Sequence, residues 1–309
     1  MSVRVAVIGV GHLGRHHARI LATLPGATLA GVVDINEARA QEIAAKHGTR
    51  PFTDFRQVLD GVDAVCVAVP TERHLEIARP FLERGIATLV EKPIARSARE
   101  AGALLEAAAS GGAILAAGHT ERYNPAVQAA LPLVTTPRFV EVHRLGVFPE
   151  RSLDIDVVFD LMIHDLDIVA ALVKSPVASV EAVGVPVLTP RVDIANARLR
   201  FESGCIANIT ASRISRDRVR KIRFFQPDAY ISIDYAAKEV EAYRLARRGA
   251  ERPAIEGGKL SVPQDEPLAL ELADFVAAAR DKRPPMVTGE DGRRAVVLAE
   301  QIAGEIERA

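Results

Sequence analysis

The sequence has few of the features that mark secreted or membrane proteins. It contains only two cysteines, Cys66 and Cys205, far apart in apolar strand-like stretches, which we interpret as buried reduced thiols of a cytoplasmic protein. No uninterrupted apolar run approaches the roughly 20 residues that a membrane-spanning helix needs, so no membrane segment is predicted. The N-terminus lacks the pattern of a signal peptide, because its apolar stretch reads as a strand that histidine and arginine follow at once.

An excess of charge of one sign is absent as well. The formal net charge is −1 and there is no basic block, which argues against nucleic acid as a partner. Several aspartates crowd residues 154–167, but they come with one histidine and no compact ligand spacing, so no metal site is predicted. With 309 residues and 49% hydrophobic content, the chain is predicted to be globular and long enough for two domains.

The opening stretch VRVAVIGVGHLG predicts a dinucleotide-binding site. A short β-branched strand leads into Gly9-x-Gly11-x-x-Gly14, after which the chain reads as a helix. In such a turn Gly9 permits the tight bend, Gly11 lets a pyrophosphate approach the backbone, and Gly14 lets the helix pack on the strand. The positive end of the helix dipole then faces the phosphates.

A second apolar strand, residues 28–33, ends in Asp34. This acid follows Gly14 by 20 residues, about the spacing at which a carboxylate meets an adenosine ribose. We therefore expect NAD rather than NADP, because the carboxylate can accept a hydrogen bond from the 2′-hydroxyl and would repel a 2′-phosphate. The next two residues offer no arginine to bind that phosphate, although Arg39 is close.

Strands and helices alternate through the first 120 residues, with Asn36 as a helix N-cap and Ser97 and Glu100 as a capping box. Such alternation predicts an α/β, doubly wound parallel sheet that binds ligands at the carboxyl ends of its strands. We therefore predict a Rossmann domain over residues 1–120. Its further strands are predicted at 63–69, 87–90 and 113–117, and its further helices at 36–47, from after Pro70-Thr71 to near 84, and at 97–109.

The pattern changes near residue 119. Beyond residue 177, short apolar runs separated by turns such as ESG and QPD predict strands. Residues 121–309 are therefore predicted to form a substrate-binding and oligomerisation domain of the α+β class on a largely antiparallel sheet. Strands are predicted at 138–147, 180–187, 192–201, 205–212, 219–225, 230–233 and 239–245, helices just after Asn124-Pro125, within 153–173, at 267–280 and at 292–306, and a loop at 247–264.

The second predicted sheet has too few helices to cover both of its faces. No segment between residues 177 and 245 reads as a helix, so one face bearing Ile, Val and Phe would be open. Exposed apolar patches usually mark interfaces. We therefore expect a homodimer or homotetramer that forms through this open-faced sheet.

Three sets of polar residues are candidates for a functional site. Lys92 directly follows a strand, in Glu91-Lys92-Pro93, where it could meet a substrate oxygen or simply be a surface lysine before a turn. Asp160 and His164 share one face of a helix, so the carboxylate could orient the imidazole as a general base, unless His164 only packs within that helix. The cluster GHTERYNP at 118–125 is either an interdomain linker or a wall of a substrate pocket.

These stretches together resemble the glucose–fructose oxidoreductase/inositol dehydrogenase (Gfo/Idh/MocA) family over the whole chain. The resemblance rests on VIGVGHLGRHHA, VAVPTERH, EKP, RYNP and DLMIHDLD. It implies an NAD-dependent dehydrogenase acting on a CH–OH group, with Lys92, Asp160 and His164 as the catalytic group. The cofactor-binding residues would be Gly9, Gly11, His12, Leu13, Gly14, Asp34, Pro70, Thr71, His74, Glu91 and Lys92.

Within the family, HTERYNP, DVVFDLMIHDLDI and SRISRDRVRKIRFFQPDAYISIDY are similar to the branch that oxidises the 3-hydroxyl of UDP-N-acetylglucosamine on the way to lipid A. Many relatives carry a glycine-rich run around the Asp-x-x-x-His segment, and Val157, Val158, Leu161 and Met162 stand here instead. The resemblance thus implies a nucleotide sugar as the small-molecule substrate. The alternatives are a dehydrogenase of a free sugar or inositol, and a non-catalytic dinucleotide-sensing protein.

A diphosphate on the substrate calls for arginine, whose paired N–H donors fit phosphate oxygens. We favour Arg213 and Arg216, in the stretch that resembles the nucleotide-sugar branch; alternatively, these arginines are solvated strand ends or oligomer contacts. The full set of predicted substrate-binding residues is His119, Arg122, Tyr123, Asn124, Arg144, Arg151, Arg213 and Arg216.

Overall fold

A computed structural model describes residues 2–148, 155–246 and 254–308 of the chain. Its contacts divide the chain into two compact units. The first unit contains the residues up to Thr120 together with Glu266–Val296, and the second contains Glu121–Asp265 together with the residues from Val297 onward. This assignment differs from the sequence-based division, which places residues 266–296 in the second domain.

The first unit is built on a six-stranded parallel sheet with the strand order β3-β2-β1-β4-β5-β6. This order confirms the predicted doubly wound Rossmann arrangement. Its strands are β1 (Val3–Ile8), β2 (Ala27–Val33), β3 (Pro51–Phe52), β4 (Ala64–Val67), β5 (Ala87–Glu91) and β6 (Leu115–Gly118). Its helices are α1 (Gly14–Leu21), α2 (Glu37–His47), α3 (His74–Leu82) and α4 (Ala98–Gly111), with 3₁₀ turns at Phe55–Val58 and Thr71–Arg73. A third 3₁₀ turn, Thr120–Tyr123, begins at the last residue of this first stretch and continues into the second unit.

Helix α7 (Pro267–Asp281) packs on this same sheet. Its side chains Leu272, Phe275 and Val276 are buried in one hydrophobic cluster with Val3 and Val5 of β1. Burial of apolar area against β1 is the physical reason why this helix belongs to the first unit. The last helix, α8 (Gly289–Arg308), begins in the first unit and continues into the second.

The local signals for helix starts act largely as predicted. Asn36 caps α2 by accepting the backbone N–H of Arg39 over 3.1 Å. Ser97 caps α4 by accepting the N–H of Glu100 over 3.2 Å. The predicted capping box is only half formed, because the Glu100 carboxylate accepts the N–H of Arg96, and that residue's guanidinium holds it there.

The second unit is built on an eight-stranded sheet with the order β14-β13-β12-β11-β7-β10-β9-β8. Strands β7 and β10 pair in parallel and all the other neighbours are antiparallel, which confirms the predicted α+β class. Its first strands are β7 (Phe139–Leu145), β8 (Val177–Val185), β9 (Ile194–Phe201) and β10 (Ile206–Ser212). The others are β11 (Val219–Phe225), β12 (Ala229–Asp234), β13 (Glu239–Ala246) and β14 (Ala254–Leu260), and the helical segments are α5 (Pro125–Ala130), a 3₁₀ turn at Leu131–Leu133 and α6 (Ile163–Val173).

Strand β14 corrects the prediction of a loop at residues 247–264. The segment AIEGGKL pairs with β13 over its whole length. Its two glycines make the strand difficult to predict from the sequence, because glycine is generally disfavoured in strands. Here a side chain at Gly257 would lie 2.0 Å from the carbonyl oxygen of Ala242, so the close approach of the two strands requires glycine. Residues 247–253 lie outside the described part of the chain.

The helix predicted within 153–173 is two structures in succession. A π-helical turn at Val158–Met162 precedes α6, and the N–H of Ile163 bonds to the carbonyl of Val158, five residues back. Asp160 lies in the π-helical turn and His164 in α6. Such turns occur frequently at functional sites.

The two faces of the eight-stranded sheet differ in composition. Along β9, Ala195, Ala197 and Leu199 are buried while Asn196 and Arg198 are exposed. The face that carries the exposed residues, which we call the open face, bears a row of four aromatic rings with centroids 5.3 to 6.4 Å apart, beside a row of charged side chains that includes a 3.1 Å ion pair. The aromatic row is Phe139, Phe225, Tyr230 and Tyr243, and the charged row includes Glu141, Arg198 and Arg223. The predicted Ile, Val and Phe surface is thus mixed rather than purely apolar.

Among the described residues, no helix has the length and apolar character needed to cross a bilayer. Both cysteines are buried and free, as predicted. Burial raises the pKa of the Cys66 thiol well above its ordinary value, with the Glu271 and Glu91 charges adding to that effect.

Candidate cofactor and catalytic site

The glycine turn after β1 has the shape of a phosphate cradle. Gly9 has a φ of +84°, which only glycine adopts readily, and a side chain there would meet the Ala68 carbonyl at 2.7 Å. A Cβ on Gly14 would lie 1.7 Å from the Gly9 carbonyl oxygen, so α1 can pack this closely only without a side chain. A Cβ on Gly11, in contrast, would meet only Arg39 at 3.9 Å, which leaves space for a ligand.

Helix α1 leaves its positive end available. It begins with no side-chain cap and no acidic residue in its first turn. His12 and Leu13, which precede it, are both exposed. These features fit a pyrophosphate at the helix N-terminus.

Asp34 directly follows β2, as predicted. Its side chain is only 6% exposed. One carboxylate oxygen accepts the Val10 N–H at 3.0 Å, and the other accepts the Asn36 N–H at 2.9 Å. Nη1 of Arg39 lies 3.3 Å from the Asp34 carboxylate. The carboxylate is therefore fixed beside the glycine turn, where the fold places an adenosine ribose.

The segment Pro70-Thr71-x-x-His74 follows β4 at the same edge of the sheet. Pro70 is exposed and Thr71 half-buried, but His74 is 1% exposed. Its ring nitrogens lie 3.0 Å from the Pro93 carbonyl and 2.9 Å from the Val69 carbonyl. Burial lowers the pKa of His74, and a neutral imidazole carries a proton on only one ring nitrogen, so the neutral ring donates to one of these carbonyls. His74 thus joins two turns and offers little of its surface to a ligand.

Glu91 and Lys92 lie at the end of β5. The Glu91 carboxylate is buried and accepts a hydrogen bond from the Lys92 N–H over 3.2 Å. Its other oxygen lies 2.8 Å from Nε2 of His17, a residue that the sequence analysis did not select. The sequence does contain one indication that His17 is functional: it lies three positions after Gly14, on the face of α1 that is buried. A polar side chain on such a face needs a buried partner.

In the second unit, two ion pairs of low exposure hold the residues of α6 that follow His164. Asp165 binds Arg144 through two contacts of 2.6 and 3.0 Å, and Asp167 binds Arg122 at 3.2 Å. Burial alone would lower the pKa of the Arg144 guanidinium, but the charge and hydrogen bonds of Asp165 raise it above its ordinary value. Arg122 and Arg144, two of the five arginines predicted to bind substrate, therefore anchor α6. Asp160 and His164 are half-buried.

The cluster at 119–124 is largely interior. His119, Tyr123 and Asn124 are 1%, 5% and 2% exposed. The Asn124 side chain accepts the Ala126 N–H at 3.1 Å and donates to the Tyr235 carbonyl at 3.3 Å. Asn124 thus caps α5 and ties it to the residue that follows β12, which is a structural role.

Arg213 has a set of partners that the sequence did not suggest. It is 2% exposed and donates to Asp193 at 2.8 Å, to the Ile155 carbonyl at 2.6 Å and to the Thr189 hydroxyl at 3.1 Å. This arrangement argues against the predicted phosphate contact, because Nε, Nη1 and Nη2 of the guanidinium each already donate to a protein group. Arg216, in contrast, is exposed, and Arg151 lies outside the described residues.

These features define a class of protein. A six-stranded parallel sheet with this order, a glycine turn and an acid after the second strand form a dinucleotide-binding Rossmann domain, followed by a unit built on an antiparallel sheet. A family model described as an oxidoreductase family with an NAD-binding Rossmann fold (GFO/IDH/MocA) matches residues 3–119, and the GFO/IDH/MocA C-terminal domain model matches residues 137–230.

The chain belongs to the GFO/IDH/MocA family of NAD-binding oxidoreductases. It is 38% identical over 312 residues to the UDP-N-acetylglucosamine 3-dehydrogenase of Acidithiobacillus ferrooxidans, covering 99% of this chain and 98% of the relative. The solved structure of that enzyme matches with a TM-score of 0.93 over 100% of this chain and 99% of the other. This result confirms the predicted family and NAD as the cofactor.

Two further similarities widen the comparison. The NAD(+)-dependent scyllo-inositol 2-dehydrogenase of Bacillus subtilis is 28% identical over 315 residues, covering 94% of this chain and 90% of the relative. Levoglucosan dehydrogenase in complex with NADH matches with a TM-score of 0.87 over 100% of this chain and 98% of the other, at 18% identity. The latter shows a shared fold alone.

Proposed function

We propose that this chain is an NAD-dependent dehydrogenase that oxidises the 3-hydroxyl of UDP-N-acetylglucosamine to the 3-keto sugar. The observation that carries the proposal is the full-length similarity, at 38% identity, to an enzyme of that name. The product would be a substrate for an aminotransferase that installs a 3-amino group, a step toward lipid A. The proposed location is the cytoplasm.

The residues present fit the cofactor. Gly9 and Gly14 form the turn that a side chain would fill, and Asp34 is fixed at the end of β2. These residues, with the uncapped start of α1, would hold the pyrophosphate and the ribose of NAD. When bound, NAD supplies the acceptor for the hydride that leaves the sugar carbon.

The chain's own residues would handle the proton and the oxygen. Lys92 binds the hydroxyl oxygen and stabilises the negative charge that develops on it. His164 takes the hydroxyl proton as general base, and Asp160 orients the His164 ring. The support for these roles is the match of EKP and DLMIHDLD to the family and the placement of Asp160 in a π-helical turn directly before α6.

For the diphosphate we propose Arg216. Of the predicted arginines in the described residues, Arg122, Arg144 and Arg213 are buried or nearly so and ion-paired with aspartates. Arg216 is exposed, so its guanidinium can bind a phosphate without breaking a buried ion pair.

We also propose that the open face is the surface through which the chain forms a homodimer or homotetramer. Its aromatic row supplies apolar area, and its alternating charges can pair with those of a second copy. Aromatic residues and arginine are both enriched at protein interfaces.

A substrate panel tests the reaction. The purified chain with NAD is incubated separately with UDP-N-acetylglucosamine, free N-acetylglucosamine and scyllo-inositol, while NADH absorbance and product mass are followed. NADH together with a product two hydrogens lighter, formed only from the UDP-sugar, is the expected result. Turnover of scyllo-inositol alone would favour the free-polyol alternative, and NAD binding without turnover of any substrate would favour a sensor.

A further inference from the structure

His17 and Glu91 form a buried contact in the first unit that the proposed chemistry does not yet use. Nε2 of the histidine lies 2.8 Å from Oε1 of the glutamate, and the two side chains are 0% and 7% exposed. His17 belongs to α1, directly after the glycine turn, and Glu91 is the last residue of β5. The contact thus joins two elements that are 74 residues apart in the chain.

The other oxygen of Glu91 continues this connection to Lys92. Oε2 accepts the backbone N–H of Lys92 over 3.2 Å. A Cβ on Gly118 of β6 would lie 3.1 Å from Oε2, so the glycine lets the carboxylate pack closely against that strand. Both oxygens of Glu91 are therefore held, one by the imidazole and one by the peptide that carries Lys92.

The buried carboxylate of Glu91 needs hydrogen-bond partners for its charge. Burial alone would raise the pKa of the Glu91 carboxyl, but the hydrogen bond and charge of His17, together with the Lys92 N–H, hold it below its ordinary value. A buried carboxylate that loses such a partner is strongly destabilised, because its charge is left uncompensated. The second ring nitrogen of His17, Nδ1, has no hydrogen-bond partner among the described residues. The only hydrogen bond of the ring recorded there is thus the one to Glu91.

We propose that His17 is a positioning residue for Lys92, acting through Glu91. The His17 imidazole fixes the Glu91 carboxylate, and that carboxylate fixes the backbone N–H of Lys92. The position of this backbone then determines where the Lys92 amine meets the substrate oxygen. The inference rests on the proposed function, in which Lys92 stabilises the charge on that oxygen. Its physical basis is that misplacing a catalytic group by about 1 Å can cost about a hundredfold in rate.

Three substitutions at neighbouring positions separate this role from general stability. His17→Leu keeps the volume but removes the N–H donor, and we expect kcat to fall by about tenfold to a hundredfold while KM and the Kd for NAD stay within about twofold. His17→Gln places an amide N–H near the position of Nε2 and should restore most of the lost kcat. His16→Leu is the matched control: this half-buried histidine lies on the same helix, whereas the Glu91 carboxylate contacts His17, so the substitution should leave kcat unchanged.

A double-mutant cycle with Lys92→Ala decides whether the effect passes through the lysine. If His17 acts through Lys92, His17→Leu should not lower the residual turnover of Lys92→Ala any further. An equal loss in both backgrounds, or full activity of His17→Leu, would overturn the proposal. Should His17→Leu fail to fold in circular dichroism, His17→Asn replaces it, because its amide is too short to reach Glu91 and should give the same loss.

The same variants distinguish failure of the inference from failure of the proposed function. Near-normal turnover of Lys92→Ala would remove Lys92 from the chemistry and overturn the positioning role of His17, while the proposed reaction would stand. Absence of turnover in the unmodified chain with every sugar of the panel would overturn the proposed function itself. Loss of turnover in Lys92→Ala with an additive effect of His17→Leu would leave the function standing and overturn only the positioning role.

Discussion

The Asp34 carboxylate accepts a hydrogen bond from the backbone N–H of Val10, with 3.0 Å between Oδ2 and the nitrogen. This contact ties the end of β2 to the glycine turn, so the carboxylate that is predicted to select the cofactor is held by the turn that is predicted to bind its phosphates. Nη1 of Arg39 lies 3.3 Å from the same oxygen. A cation that could bind a 2′-phosphate therefore lies beside the acid that is predicted to exclude one.

Asp34→Asn should bring NADP binding close to NAD binding. The amide keeps an oxygen for the Val10 N–H but removes the charge that repels a 2′-phosphate, and Arg39 is released to bind it. We expect the Kd for NADP to fall by about tenfold, or ~1.4 kcal/mol, measured by isothermal titration calorimetry. Adding Arg39→Ala should abolish that gain. Tighter binding of NADP than of NAD to the unmodified chain would contradict the role of Asp34.

Lys92→Ala and His164→Ala should each lose most turnover and keep NAD binding. Charge stabilisation and proton transfer each contribute about a hundredfold or more to rate, so kcat should fall by at least that factor. Stopped-flow absorbance of NADH and calorimetric NAD binding measure the two quantities. Lys46→Ala, at an exposed position of α2, is the control and should behave as the unmodified chain. Near-normal turnover in both test variants would show that the chemistry lies elsewhere.

Arg213 and Arg216 should separate into a structural and a substrate-binding residue. Arg213→Ala leaves Asp193 buried without its cation, which typically costs about 3–5 kcal/mol of unfolding free energy, measurable by urea denaturation. Arg216→Ala should leave stability unchanged and raise the KM for the UDP-sugar, as loss of ground-state binding does. Arg56→Ala, an exposed arginine of the first unit, is the control. An unchanged KM in Arg216→Ala would remove it from the diphosphate site.

Asp193 should make stability depend on pH in the acid range. Burial alone would raise the pKa of its carboxyl, but the N–H groups of Leu188 and Thr189 and the Arg213 guanidinium hold it well below its ordinary value of 3.8. A carboxyl with a lowered folded-state pKa contributes stability that is fully present above that ordinary value and is lost as the pH falls below it. The unfolding free energy of Asp193→Asn should therefore lie below that of the unmodified chain at pH 7, and the difference should shrink below about pH 4. A difference that stays constant down to pH 2.5 would contradict this account.

Phe225→Glu should dissociate the proposed oligomer. Phe225 lies inside the aromatic row, 5.6 Å from Phe139 and 5.3 Å from Tyr230 between ring centroids. A carboxylate at that position would be buried without a partner in an interface, which is strongly unfavourable. Light scattering after size exclusion should show a smaller species than for the unmodified chain or for Ile35→Glu, a change at an exposed position of the first unit. An unchanged mass would place the interface elsewhere.

Much of the fold was predictable because its signals are local. The glycine turn, Asp34 and the caps at Asn36 and Ser97 depend on residues only a few positions apart, whose backbone preferences act whatever surrounds them. Alternating strands and helices over the first 120 residues predicted the Rossmann sheet for the same reason, since hydrophobic periodicity is readable over short windows. Strand β14 escaped prediction because its two glycines weaken that periodicity.

The partners of charged side chains could not be predicted from the sequence. Arg144 and Asp165 are 21 residues apart, Arg213 and Asp193 are 20 apart, and the pair His17–Glu91 spans 74. The local sequence does not distinguish an arginine that binds a phosphate from one that binds a buried aspartate, because the two differ only in their surroundings in the folded protein. The amino-acid sequence by itself determined the glycine turn, the position of Asp34 after the second strand and the alternating strands and helices of the Rossmann sheet. Tertiary structure alone decided which arginines stay exposed and what holds the Lys92 peptide, because burial and ion pairing depend on residues that only folding brings together.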